Sequence, residues 1–204
     1  MRDFSYLDIL WALLWASRWT LLLSAVAFAG GGIAGFLLLL MRISPLRGVK
    51  YLSWIYCECV QGIPLLILLV LVFFGLSILG LEFSPWTSAT IALTTYSGAF
   101  WGDIWRGAVE AVPRGQWEAS KAMSFNYGQQ LGLVILPQAV RFAIAPTVGF
   151  IAQLIKGTSL ASAIGFVELA RTATNITNVT FEPFVVYLTL SWEHLSVAIR
   201  SPSP

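Results

Sequence analysis

Charge is what this 204-residue chain has least of: only 11% of its residues are charged, against about a quarter in ordinary soluble domains. With 57% hydrophobic residues and a mean hydropathy of +0.78, that shortage excludes a soluble globular domain and leaves an all-α integral membrane protein. Positive charge is not in excess either. Twelve Lys and Arg stand against ten Asp and Glu, so no polybasic surface exists for nucleic acid. No G-x-x-x-x-G-K-[ST] sequence occurs, which excludes ATP binding through a P-loop and requires any energy to come from another subunit. A single histidine, His194, with neither H-E-x-x-H nor G-x-S-x-G, gives no hydrolase or metal constellation, and the chain calls for no cofactor of its own. Only two cysteines are present, Cys57 and Cys59; one pair defines no disulfide framework, and they read as small residues on a buried helix.

What the chain does have is long apolar runs. A helix crossing about 30 Å of hydrocarbon at about 1.5 Å per residue needs about 20 apolar residues. Uncharged stretches of that order lie between Arg18 and Arg42, between Glu58 and Glu82, and between Glu82 and Asp103. A fourth span is expected from Pro137 to Lys156, with Arg141 reaching to the interface. The last apolar run, Pro183 to Trp192, is too short for an unmodified span, so the expectation is four spans plus a short or truncated fifth. Hydrophobicity falls abruptly after Trp192, which suggests a frameshift or truncation. Ala25-Val26-Ala27 resembles a signal-cleavage site, yet the apolar run continues to Met41, favouring a retained first helix. Gly30, Gly31, Gly32 and Gly35 inside it predict a close helix approach. Asn175-Ile176-Thr177 and Asn178-Val179-Thr180 match glycosylation sequons and read as loop residues.

Lys and Arg in the loops set orientation, because positive side chains are retained on the cytoplasmic side. Arg42, Arg47 and Lys50 fill one loop; Arg106, Arg114, Lys121 and Arg141 fill the connection after the third span. Both are expected inside. Residues 1–17 then form an N-terminal extracytoplasmic segment, residues 18–200 the transmembrane domain, and the loop 113–137 a cytoplasmic element.

That loop carries the most information. Pro113 suits a helix start, good helix formers run from Gln116 to Met123, and Ser124, Asn126 and Gly128 break the helix. A second helical piece, Gln129 to Ile135, runs to Pro137, which is expected to end or kink it where the fourth span begins. The pair would form a knob with Glu118 as acceptor and Trp117, Met123 and Phe125 as apolar anchors for a soluble partner.

Here the residues resemble a known family. Glu118, Ala119, Ser120, Ser124, Val134, Leu136 and Pro137 keep the spacing of the EAA motif, EAA-x3-G-x9-I-x-LP, found in membrane subunits of ATP-binding-cassette importers. The flanking segments YSGAFWGDIWRGAVEAVPRGQ and LPQAVR are similar to those of polar amino-acid permeases, as are Gly62 to Leu66 and Lys156 to Leu169. The resemblance implies the type I importer transmembrane domain, in the bacterial inner membrane, translocating polar amino acids or related small solutes. Its implied partners are a cytoplasmic ATPase dimer, a second permease that is identical or homologous, and an extracytoplasmic solute-binding protein. It further implies that Glu118, Ala119 and Ser120 contact the ATPase, that Ser124 occupies the turn, and that Leu136 and Pro137 seat the fourth span.

The sequence departs from that pattern at Ser124, which replaces the motif glycine and would cost about 1 kcal/mol if the position needs a positive φ. Gln61 and Ile63 stand where the family often has Arg and Thr. Ionisable residues within spans default to functional hypotheses, which selects Glu58 and Lys156, although interface anchoring explains them equally. Hydroxyls on the third helix, with Tyr96 and Ser97 as the leading residues, either line a substrate path or bond neighbouring helices. The alternative to an importer subunit is a passive channel or structural membrane protein without ATP coupling.

Overall fold

The computed structural model describes residues 6–200, with side chains through residue 192. Residues 1–5 of the expected N-terminal segment and residues 201–204 lie outside the described residues, as do the side chains of residues 193–200, His194 among them. Among the described residues the chain is helical throughout: α1 (Tyr6–Arg42), α2 (Arg47–Gly62), α3 (Leu65–Ile78), α4 (Pro85–Glu110), α5 (Arg114–Ala122), α6 (Tyr127–Ile164), α7 (Leu169–Thr180) and α8 (Pro183–Arg200). Two of these, α1 and α6, are each long and apolar enough to cross a membrane, with a third if α2 and α3 are one broken span.

Several expectations change. The stretch between Glu58 and Glu82 is not one helix, because α2 ends at Gly62 and Ile63 turns to extended backbone with φ −95° and ψ 124°. Pro64 explains the break: it disfavours helical backbone in the residue before it and contributes no N–H to the ladder. Pro137, in contrast, does not end a helix. It lies inside α6, directly after a π-helical stretch from Gln130 to Ile135 in which the Leu136 N–H bonds the Leu131 carbonyl. Widening the turn from i−4 to i−5 shifts the hydrogen-bond ladder just where proline has no N–H to offer. The two Asn sequons belong to α7 rather than to a loop.

The chain divides into two compact units, Met1–Ala27 with Leu65–Leu93 and Leu154–Pro204, and Phe28–Pro64 with Thr94–Gln153. In the first unit, Ile9, Leu13 and Ala16 of α1 pack with Leu169, Ala173 and Ile176 of α7 and Val186 of α8. The spacing of each triplet at three or four residues places it on one helix face. Glu168, 1% exposed, caps α7 by accepting from the Ala170 and Arg171 N–H groups at 2.9 Å each. Thr20 of α1 donates to the same carboxyl at 3.4 Å and accepts from the Leu169 N–H at 3.2 Å.

The second unit is built on glycine. Gly31 and Gly35 of α1 face Gly98 and Gly102 of α4, each pair spaced by four, so the two backbones approach closely. A Cβ at Gly31 would meet the Ser97 Oγ at 1.9 Å, and one at Gly98 would meet the Ala34 Cβ at 2.9 Å. Gly32, one residue off this face, meets nothing within 4 Å. Below this contact Leu39, Ala108, Val109, Val112, Ile135, Ala139 and Ala143 form a core, with Trp117, Leu131, Val134 and Leu136 packed against it.

Candidate functional site: the α5 knob and the polar node beside it

Helix α5 is short, nine residues, and cannot be stable alone at that length, so its order has to come from its ends and its packing. Pro113 stands just before its first turn, and the Gln116 N–H bonds the Pro113 carbonyl at 2.9 Å. At the other end Ser124 has φ 60°. The Phe125 N–H reaches the Ser120 carbonyl at 3.2 Å and the Ser124 N–H the Lys121 carbonyl at 2.9 Å, the two bonds of a Schellman stop. The motif-glycine position does need a positive φ, and Ser124 adopts it. Two residues on, Asn126 and Gln129 form a capping box: the Gln129 N–H donates to Asn126 Oδ1 at 2.9 Å and the Asn126 N–H donates to Gln129 Oε1 at 3.0 Å. One helix is thus stopped and the next started within three residues.

Side-chain contacts then fix α5 against its neighbours. The Trp117 and Tyr127 rings stack at 6.2 Å, Gln138 Nε2 donates to Gln116 Oε1 at 3.2 Å, and the Tyr127 hydroxyl donates to the Ile43 carbonyl at 2.7 Å. This sorts the motif residues. Glu118 and Ala119 are exposed, and Met123 is 67% exposed beside them. Ser120 is buried and donates to the Trp117 carbonyl at 2.9 Å, so it faces the protein. Trp117 and Phe125 are half-buried, not free anchors; only Met123 of the three presents a fully open apolar side chain. Leu136 is half-buried against the core and Pro137 is exposed.

The residues selected for a substrate path fall in both units. Tyr96 is buried, its hydroxyl accepting from Gln153 Nε2 at 3.3 Å and its ring against Phe100 and Phe150 at 4.6 and 6.4 Å. Ser97 is fully buried, donates to the Thr94 carbonyl at 3.2 Å and fills the space opposite Gly31. Glu58 is exposed on α2, and Lys156 is exposed in the part of α6 that belongs to the first unit.

A second polar feature escaped the sequence reading. Asp103 of α4 accepts from Arg42 Nη2 at 2.6 Å and Arg106 Nε at 3.2 Å on one oxygen, and from Gln61 Nε2 at 2.7 Å on the other. Gln61 also donates to the Ala99 carbonyl at 3.2 Å. Three helices, α1, α2 and α4, therefore meet on one carboxylate, and Gln61, noted only as a departure from the family, supplies the α2 contact. The signal available was the Asp103, Arg106, Glu110 spacing, which puts three charges on one face of a helix.

Comparison with known proteins matches residues 28–192 to the family described as "Binding-protein-dependent transport system inner membrane component". A probable amino-acid ABC transporter permease protein of Bacillus subtilis (strain 168), YckA, is 33% identical over 183 residues, covering 88% of this chain and 81% of that one. A probable glutamine ABC transporter permease protein of the same organism, GlnM, is 32% identical over 180 residues, 88% and 83%. The crystal structure of an amino acid ABC transporter with histidines superposes with a TM-score of 0.89 at 26% identity, over 97% of this chain and 94% of that one. These similarities do not favour a passive channel. The chain belongs to the binding-protein-dependent transport system inner membrane component family: it is a permease subunit of an ABC importer, a transport component for which a separate subunit hydrolyses ATP.

Proposed function

We propose that this permease carries polar amino acids or related small solutes, and that the exposed face of α5, with Glu118, Ala119 and Met123, docks on a cytoplasmic ATPase dimer. The observation that supports this most is the mechanical fixing of α5. A nine-residue helix closed by a Schellman stop and a capping box, stacked through Trp117 on Tyr127, moves with α6 as one piece. Force applied at Glu118 is passed on, not absorbed. Ser120, Ser124, Leu136 and Pro137 are then structural members of the coupling element, and Glu118 and Ala119 its contacts. In this reading the N-terminus lies outside, the α5 loop inside, a second permease subunit of the same or a similar kind completes the path, and an extracytoplasmic binding protein delivers the solute. The named substrates of the relatives, amino acids and glutamine, support the substrate class. Tyr96, Ser97, Glu58 and Lys156 remain candidates for lining the path in a state other than this one.

The test is charge reversal at Glu118 in the reconstituted complex. Glu118→Lys is expected to abolish ATPase association and uptake together. Survival of both would show that α5 is only a structural loop.

A further inference from the structure

We infer that Asp103 is the centre of a releasable clamp that holds α1 and α2 to α4 in this state and opens during the transport cycle. The inference rests on the importer reading above.

Three observations carry it. First, the node sits where movement must pass: Arg42 is the last residue of α1, and Asp103 lies on α4, whose end leads through three residues into α5. The nearby α1 to α4 contact is close packing of glycines against the Ser97 and Trp101 side chains, with the Phe28 ring edge-on to Trp101 at 5.0 Å, so the polar node is the tie that charge exchange can release.

Second, the charges are arranged for exchange. Asp103 has two cations, Arg42 at 2.6 Å and Arg106 at 3.2 Å, and Arg106 in turn has a second anion, Glu110, at 2.6 Å. Removing one partner from a buried ion pair is costly because it strands a charge. Here Arg42 can leave while Arg106 stays on Asp103, so the carboxylate is never stranded. Arg42 itself ends a helix, where the C-terminal carbonyls favour a cation and a long side chain reaches the interface.

Third, the closed state is imperfect. Arg42 is 7% exposed, yet its Nε is buried with no hydrogen-bond partner. A buried unsatisfied donor weakens the state that contains it. The clamp is strong enough to hold and flawed enough to release.

The chain carries its own reporter. Cys57, one turn before Gln61 on α2, is fully buried, whereas Cys59 is exposed. In a Cys59→Ser permease, assembled with its ATPase and binding protein in proteoliposomes, N-ethylmaleimide labelling of Cys57 is expected to be negligible at rest. During ATP-driven uptake it should rise at least several-fold. Asp103→Asn, or the milder Gln61→Ala, should label at rest and should move less solute per ATP hydrolysed. Uptake with Cys57 protected throughout would overturn the clamp while leaving the importer reading intact; so would an unchanged solute-to-ATP ratio in both variants. No ATP-driven uptake in the Cys59→Ser parent would overturn the importer reading, and the clamp with it.

Discussion

Gly35 of α1 and Trp101 of α4 approach so closely that a Cβ on residue 35 would lie 2.4 Å from the Trp101 Cβ and 3.0 Å from the Gly102 nitrogen. Neither neighbour is the tip of a flexible side chain, so the helices themselves would have to separate. Gly35→Ala is therefore expected to destabilise the protein by about 1–3 kcal/mol, the usual cost of overpacking a filled contact. Gly32→Ala, which meets open space, is the matched control and should be tolerated. Thermal unfolding of the detergent-solubilised protein, followed by Trp fluorescence, checks both, and equal midpoints would refute the close-approach account.

Ser124 holds a left-handed conformation, φ 60°, that glycine adopts without a Cβ penalty. Ser124→Gly should stabilise the α5 turn by about 0.5–1 kcal/mol, part of the relief being offset by the greater freedom of glycine in the unfolded chain. ATP-driven uptake should be unchanged, because the backbone already has the glycine geometry. A lower midpoint in the variant would mean that the serine side chain contributes something its geometry does not reveal.

The first turn of α6 is closed by a side-chain cap. Asn126 supplies the acceptor for the Gln129 N–H, and its own N–H is held by Gln129 Oε1. Replacing a cap of this kind by alanine costs about 1 kcal/mol. Asn126→Ala should show that loss, and Asn126→Asp, which keeps the acceptor, should restore most of it. Faster amide exchange confined to residues 126–130 would locate the effect, whereas uniform exchange along α6 would argue against it.

The knob and the fold class were legible in the residues because both depend on local chemistry. Hydrophobic length gave helices, the motif glycine marked position 124 as the place where a positive φ would carry a cost, and Gly31 and Gly35 gave the close approach. Sequence reading failed wherever the outcome depended on geometry that spacing does not encode. Pro64 and Pro137 look alike in a linear reading, yet one interrupts a helix and the other is accommodated behind a π turn. Trp117 reads as an anchor for a partner until its ring is seen on Tyr127. The Asp103 node joins residues 42, 61 and 103, which nothing in the sequence links before the helices are placed.

Glu168 gives the last prediction, a pH dependence. Its carboxyl is buried at the head of α7, and burial pushes it above the ordinary carboxylate range; the Ala170 and Arg171 N–H groups and the Thr20 hydroxyl pull it back without cancelling that effect. A carboxyl raised on folding holds its proton more tightly in the folded state than in the unfolded one. Its stabilising contribution is then fully present below the unfolded value and is lost as pH rises through the folded value, where a charge must be buried. Glu168→Gln keeps the shape and removes the titration. The midpoint of the native protein relative to that variant should therefore fall as pH is raised from acidic to neutral. A difference that stays flat across the range, or widens in favour of the native protein, would show that the three donors outweigh burial and that the cap is anionic throughout.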